Sequence, residues 1–436
     1  MAGPEHIKAL LAIATRKHLD SDFGEAERLY REILFETPDD AQTRHYLGFL
    51  LQQTGRQTAA VEQLSAAIAL DDTHADWHFN LGIALLKLNL TDAAIEAFTT
   101  AIAIDPHQYF YWTNLGAAFE AAEDNERAEQ CYTAATKIDP GCPDAYNLLS
   151  AMYLAQERFA EARYCHYRAI VAAPAEAVSR IILGHAYYEL GQIEAAITVY
   201  NDWLLAEPGN PVATHLLTAY CGESAPEQCT RQYIEQSFDA FAGDFDQVLG
   251  KLNYRGPQLV RDYIAGISPA AAGLDVLDLG CGTGLTGASI KPYASRLTGV
   301  DLSQAMLDRA AARQIYQQLH KADITDYLAA TRDRYDLVTC MDTLIYIGRL
   351  DKVFTLIRQC LKPGGLLIFS TEKPVAAGAA GYQLNISGRY SHHQDYLTAA
   401  LTGAGLRIEL MQDVPIRTEL GHTVEGQFVC ASRAPC

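Results

Sequence analysis

Val276-Leu277-Asp278-Leu279-Gly280-Cys281-Gly282-Thr283-Gly284 runs an apolar segment straight into glycines at every second position. The apolar stretch ending at Leu279 reads as a strand covered on both faces, and Leu285 onward, with Gly287 and Ala288, as a helix starting near Gly284. Between them the chain turns with little side-chain bulk, which lets a nucleoside lie almost against the main chain. The spacing is GxGxG, whereas a pyrophosphate-binding dinucleotide turn reads GxGxxG, so the expected ligand lacks phosphate. Asp301 closes the next apolar run, Leu297-Thr298-Gly299-Val300, 21 residues beyond Gly280. That is about the 20-residue offset of an acid that accepts both ribose hydroxyl hydrogens.

Further landmarks follow in order. Asp323-Ile324 comes after a third apolar segment, and Tyr335-Asp336-Leu337-Val338-Thr339-Cys340-Met341 reads as a fourth strand. Leu361-Lys362-Pro363-Gly364-Gly365 then leads into Leu366-Leu367-Ile368-Phe369-Ser370. With these landmarks, residues from about 236 to 436 resemble a class I S-adenosylmethionine-dependent methyltransferase. The resemblance implies S-adenosylmethionine as cofactor, with Asp278 holding the methionine amino group through water and Gly280 and Gly282 admitting the cofactor. It places Asp301 on the ribose, Asp323 and Ile324 on the adenine and Met341 at the methionine part, with Leu279, Gly284, Leu302 and Met306 completing the cofactor site.

A sulfonium methyl is already activated, so transfer needs an in-line nucleophile about 3 Å away and a neighbour that sets the acceptor's protonation state. The candidates after strands four and five are Asp342, Tyr346, Arg389, Tyr390, His392 and His393. Gly388-Arg389-Tyr390-Ser391-His392, Ile416 to Gly421 and Val424-Glu425-Gly426 resemble the C-terminal pattern of bacterial repeat-fused methyltransferases. His392 is expected to accept the proton, Arg389 or Arg417 to hold an anionic group, and Tyr346 and Tyr390 to line the substrate. Two alternatives stand beside these roles: Asp342 as a helix cap, and an Arg389–Glu419 ion pair that only braces the C-terminal hairpin. Cys281 is expected to fill the turn rather than act as a nucleophile.

The other half of the chain is periodic. Ala26, Ala60, Ala94, Ala128, Ala162 and Ala196 lie 34 residues apart, and Pro38, Pro106, Pro140, Pro174 and Pro208 share that grid, with Asp72 in the missing slot. This is the tetratricopeptide repeat period, giving six repeats over residues 7–210. Gly48, Gly82, Gly116, Ser150 and Gly184 sit where paired helices approach, and Tyr30, Leu64, Phe98, Tyr132 and Tyr200 fill the seam. Stacked pairs present a concave surface for binding. Asn80 and Asn114 recur there near Tyr46, Phe49, Phe79 and Phe110 and can pair with the backbone of an extended peptide; simple solvation is the alternative. His74 and His78 have no evident third ligand, so no metal is expected.

The expected architecture is an N-terminal all-α solenoid, a cap and linker over 211–235 with its helix at 211–220, and an α/β doubly wound Rossmann-like domain over 236–436. Strands are expected near 274–279, 296–301, 317–322, 335–341, 364–371, 405–411 and 426–433, the last two an antiparallel edge hairpin joined by a loop around 412–424. Phe238 to Asp246 and Leu252 to Gly256 form a helical preface that roofs the cofactor, with Tyr254 or Arg255 touching it. The 34 Lys and Arg against 53 Asp and Glu give a formal charge of -19, a poor match for a phosphate backbone, so nucleic acid is not an expected substrate. Ten cysteines without a CxxC pair suit a reducing compartment. Ala9 to Ala14 is too short an apolar run for a signal sequence or membrane span, so a cytoplasmic enzyme is expected. The leading function is methylation of a protein or peptide recruited by the repeat groove. The alternatives are a small-molecule O- or N-methyltransferase whose repeats serve docking or oligomerisation, and a non-catalytic cofactor-binding scaffold.

Overall fold

The computed structural model describes residues 4–174, 179–222, 226–267, 273–374, 381–419 and 422–435. The chain forms two compact units, Met1–Ala177 and Val178–Cys436.

The first unit is helical, and its elements keep the sequence period. First helices of successive pairs, Ala41–Gln53, Ala75–Lys87, Tyr109–Ala121 and Pro143–Ala155, start 34 residues apart, as do their partners from Gln57–Leu70 to Phe159–Ala172. Asp22, Asp40 and Asp124 cap helices by accepting from a backbone N–H three residues on, which satisfies donors the helix cannot. The pairs close on small residues: a Cβ at Gly116 would sit 2.5 Å from the ring of Tyr132, so the aromatic seam requires glycine there. In the repeat that carries Ser150, its hydroxyl donates to Ala162 O at 2.9 Å. Asn80 Nδ2 lies 3.0 Å from His45 Nε2, and Asn114 Nδ2 donates to Phe110 O at 2.8 Å. His74 pairs with Asp71 and His78 bonds Asp72 O. Both histidines are therefore engaged within their own repeat.

In the second unit nine strands among the described residues form one sheet: β1 (Leu274–Leu279), β2 (Ala294–Asp301), β3 (Gln318–Lys321), β4 (Tyr335–Cys340), β5 (Leu361–Glu372), β6 (Tyr382–Leu384), β7 (Tyr390–His392), β8 (Leu406–Glu419) and β9 (His422–Arg433). The order β3-β2-β1-β4-β5 is parallel, β9 runs antiparallel beside β5, and β8 closes the edge against β9. Both sides of the central strands are covered, with Leu277, Val338 and Phe369 in one apolar cluster and Val276, Leu337 and Ile368 in another. The order reverses between β1 and β4, and ligands of such sheets settle outside the carboxyl ends at that switch point.

Two features depart from the expected elements. The loop expected around 412–424 is mostly strand: β8 continues to Glu419, with Val414, Pro415 and Arg417 paired to Gly426, Glu425 and Val424. A bulge between Pro415 and Arg417 accommodates the proline, which has no N–H for the ladder. Residues 420 and 421 of that expected loop lie outside the described residues. β6 and β7 are additional short strands, and β7 meets β5 only at Glu372.

A third feature is the grouping of the last repeat's helices, Arg180–Glu189 and Ile193–Ala206, and of the cap helix Pro211–Cys221 with the second unit. Tyr200, Val212, Leu216 and Tyr220 share a core with Cys229, Tyr233, Leu384 and Tyr390. Buried His215 sits 2.9 Å from Gly388 O through Nε2, and its ring lies 4.1 Å from that of Tyr233. Gly388 has φ 76°, and a Cβ there would meet the Tyr233 hydroxyl at 2.6 Å. The segment after the cap helix is tied down as well, Tyr390 donating to Pro226 O and Cys229 N–H to Tyr346 O. Residues 223–225 of the expected linker lie outside the described residues.

His215→Ala should therefore destabilise the second unit. The change leaves Gly388 O with only the long contact from the Cys229 thiol at 3.8 Å, a loss of about 1–3 kcal/mol, and the ring's removal leaves a hole besides. Hydrogen exchange of the full chain should show faster exchange across 384–392 with the helices before Ala172 unaffected; unchanged protection across 384–392 would contradict this core.

Candidate active site

A cavity of about 390 Å³ lies at the carboxyl ends of β1, β2 and β4. The turn from Gly280 to Thr283 forms its floor, and Gly280, Gly282 and Gly284 all have positive φ, 65°, 53° and 88°. Their missing side chains do different work. A Cβ on Gly280 would strike Thr343 at 2.2 Å and one on Gly284 would meet Tyr316 at 3.0 Å, whereas at Gly282 the nearest atom is Phe245 at 3.9 Å. The bare main chain thus faces the cavity at Gly282, and the outer two glycines serve packing.

Asp301 fixes this turn. Its Oδ2 accepts from Gly282 N–H at 2.8 Å and its Oδ1 from Ser303 N–H at 2.9 Å. Burial raises its pKa against the lowering effect of those backbone donors. Leu302, Met306, Asp323, Ile324 and Met341 line the same cavity. Asp323 also caps a helix through Thr325 N–H and lies 3.5 Å from Arg231. Asp278, Leu279 and Gly284 do not line it. Asp278 is 1% exposed, held by Thr339 at 2.8 Å and Tyr316 at 2.7 Å, with burial pushing its carboxyl up to about 6. It braces the turn from behind. Cys281 is buried as well, and burial beside Asp278 and Asp301 holds its thiol well above the ordinary range, a protonated filler of the turn.

The roof comes from helices Arg231–Phe241 and Phe245–Lys251, whose Phe238, Phe241 and Phe245 line the cavity. Acidic residues tie it to the rim: Asp246 accepts from Thr283 and Arg313, and Asp239 from Ser303 and from Ala305 N–H. These residues belong to the stretch Phe238 to Asp246 that the sequence offered as a helical preface. Of the two preface residues expected to touch the cofactor, Tyr254 lines the cavity and Arg255 does not; its N–H bonds Ile416 O at 2.9 Å.

The far wall is a cluster of charges. Arg417, its side chain 1% exposed, reaches Asp342 at 3.1 Å, Glu419 at 2.7 Å and Glu372. Arg389 Nη2 lies 3.0 Å from Glu419, and its Nε is 3.0 Å from Glu372 without the alignment of a hydrogen bond. The ion pair allowed as a brace in the sequence is thus present. Burial would lower the guanidinium of Arg417, but Asp342, Glu372 and Glu419 outweigh it and hold the pKa raised. Burial likewise pushes Glu419 up, and the two arginines more than reverse it. Glu372 closes the cluster from the end of an apolar strand, where nothing in the sequence marks it. Asp342, Arg389, Arg417 and Tyr346 all line the cavity. Asp342 has φ 53°, a left-handed backbone fixed by its N–H to Ser370 Oγ at 2.9 Å.

His392 and Tyr390 stand elsewhere. His392 is 0% exposed, its Nε2 2.9 Å from Ile347 O and 3.1 Å from Gly348 O, and it does not line the cavity. Two carbonyl acceptors place the proton on Nε2 and leave Nδ1 buried without a partner. The expected proton acceptor is therefore a core histidine with no nitrogen turned to the site. Tyr390, also 0% exposed, spends its hydroxyl on Pro226 O at 2.6 Å. Asn80 and Asn114 belong to the first unit.

Comparison with known proteins bears on the same residues. The methyltransferase domain family matches residues 276–365, and tetratricopeptide repeat families match 47–109, 113–178 and 177–210. The chain is 33% identical over 102 residues to the ubiquinone biosynthesis O-methyltransferase of Coxiella burnetii, 23% of this chain and 44% of that relative. It is 32% identical over 114 residues to the enzyme of the same name from Shewanella halifaxensis, covering 25% and 48%. The chain thus spans less than half the length of these curated relatives. Among solved structures, MamA is 26% identical over 38% of this chain and 98% of its own, with a TM-score of 0.37. An S-adenosylmethionine dependent methyltransferase from Mesorhizobium loti is 25% identical over 39% and 96%, with a TM-score of 0.33.

Burial pushes His392 down to about 4 from 6.5, against the raising effect of the two carbonyls. The unfolded chain protonates first, so its stabilising contribution is whole above pH 6.5 and is lost as pH falls from 6.5 to 4, by about 1.4 kcal/mol per pH unit. His392→Gln keeps a donor toward the carbonyls and should lack this dependence. Urea unfolding at pH 7.5 and pH 5 should show the stability difference between wild type and variant shifting toward the variant at pH 5; a constant difference would rule the assignment out.

Proposed function

We propose that this chain, a methyltransferase domain behind a row of tetratricopeptide repeats, transfers a methyl group from S-adenosylmethionine to a protein or peptide acceptor brought by the repeats. The carrying observation is the cavity at the sheet's switch point, floored by bare main chain at Gly282 with the Asp301 carboxylate at its side.

The residues present fit that cofactor. Asp301 would take the ribose hydroxyls and Asp323 the adenine edge. Leu302, Met306 and Ile324 under the phenylalanine roof suit a planar base. Met341 and the backbone of Gly280 to Gly282 would hold the methionine part. When bound, S-adenosylmethionine supplies an activated methyl on a cationic sulfur. The protein's own contribution is position and proton management. The aromatic roof excludes water from the transfer site, and Arg417 fixes the carboxylate of Asp342 toward the cavity. Asp342 is the one carboxylate of the far wall that lines the cavity, and Arg417 holds it there at 3.1 Å, so we assign to it the acceptance of the acceptor's proton. Arg389 and Tyr346 flank the same wall and would orient the incoming group. Arg417, engaged by three carboxylates, positions Asp342 rather than binding an anion.

The name of the curated relatives favours a second reading, a small hydroxyl-bearing acceptor. Incubating the full chain with labelled S-adenosylmethionine and cell extract separates the two, since label in macromolecules supports the first reading and label confined to metabolites the second.

Asp301→Ala should weaken S-adenosylmethionine binding by about 2–4 kcal/mol, or roughly 30-fold to 1000-fold, with helical content retained; calorimetry giving wild-type affinity would remove the ribose assignment. Asp342→Asn should lower kcat about 100-fold to 10,000-fold and leave donor affinity within about threefold. Wild-type turnover in that variant would exclude Asp342 as the base.

A further inference from the structure

A second cavity, about 920 Å³, lies on the other side of Arg389, which lines both. Its walls are Tyr188 of the last repeat, Tyr220 of the cap helix, β6 with the turn after it, and Glu419 of β8 with Thr423 to Glu425 of β9. Of this wall only Arg389, Glu372 and Glu419 take part in the charge cluster of the transfer site.

We propose that this trough docks an extended, basic polypeptide segment whose reactive side chain passes Arg389 into the transfer cavity. The inference rests on the methyl-transfer reading and names the class of acceptor for it. The first support is an open strand edge. His393 N–H bonds Gly381 O at 2.9 Å and Asn385 N–H bonds Arg389 O at 2.8 Å, and Tyr382 and Leu384 pair with His392 and Tyr390 between them. In an antiparallel ladder, hydrogen-bonded pairs alternate with pairs whose main-chain groups face away. The N–H and C=O of Tyr382 and Leu384 therefore point away from β7, and among the described residues no strand covers that side. Residues 382–387 line the trough without a break. Polypeptides bind such edges by adding a strand.

The second support is charge. On the trough's wall Glu372, Glu419 and Glu425 set three carboxylates against the Arg389 guanidinium and the Lys373 ammonium. Lys373 is matched by Asp413, and Glu425 stands exposed on the rim. The wall is thus net negative, in a chain of formal charge -19. Lysine or arginine beside the acceptor residue complements it, and an acidic segment is repelled.

The test measures fluorescence anisotropy of the full chain, at about 0.15 M salt, with two labelled nonapeptides identical at the centre and flanked by lysines or by glutamates. Donor binding is followed separately by calorimetry. The lysine-flanked peptide should bind at least tenfold more tightly. Ser387→Trp, which fills the trough from an exposed position, should weaken that binding at least tenfold, and Glu425→Lys about threefold, with S-adenosylmethionine affinity unchanged in both. A lysine-flanked peptide N-methylated at alternate amides should lose affinity as well. Equal binding of the two peptides, full binding by Ser387→Trp, or retained affinity of the N-methylated peptide would each overturn the trough. Peptide discrimination in a chain that fails to bind S-adenosylmethionine would support the docking and remove the transfer reading instead.

Discussion

The site depends on one carboxylate placed between two loops. Asp301 ends β2 and takes the N–H of Gly282 from the turn after β1 and the N–H of Ser303 from the start of the next helix. A buried carboxylate is costly unless donors surround it, and this one holds its donors in a fixed arrangement. The turn stands clear of side chains at Gly282 because Gly280 and Gly284 give their own Cβ space to Thr343 and Tyr316. Asp278 secures Tyr316 and Thr339 from below. The cavity is shaped by this arrangement of acids and hydroxyls around a turn that has almost no side chains of its own.

Much of this was legible in the sequence because it rests on local rules. The glycine spacing, the acid 21 residues on and the order of apolar runs each report a backbone requirement, and the 34-residue grid reports repeated helix pairs. What stayed hidden depends on partners distant in the chain. Glu372 and Arg417 meet across β5 and the bulged β8, and no spacing announces a pair 45 residues apart. The strand character of 412–419 was obscured because Gln412, Asp413 and Pro415 interrupt the alternation, while the pairing to β9 decides the outcome. His392 shows the opposite failure. A histidine in a polar string reads as chemistry, yet two backbone carbonyls and complete burial make it part of the core.

The far wall carries its own logic. Five ionisable groups packed together are tolerable only as a network in which each guanidinium serves several carboxylates. Arg417 serves three and is almost wholly enclosed, which leaves Asp342 as the carboxylate presented to the cavity. Such a wall is stiff, and stiffness is what a reaction governed by alignment requires.

The cap helix Pro211–Cys221 and the repeat before it share a core with β6 and β7, so the last repeat is architecture for the sheet as much as a member of the array. Helical pairs ahead of Ala177 can thus vary in number while the sheet keeps its own buttress.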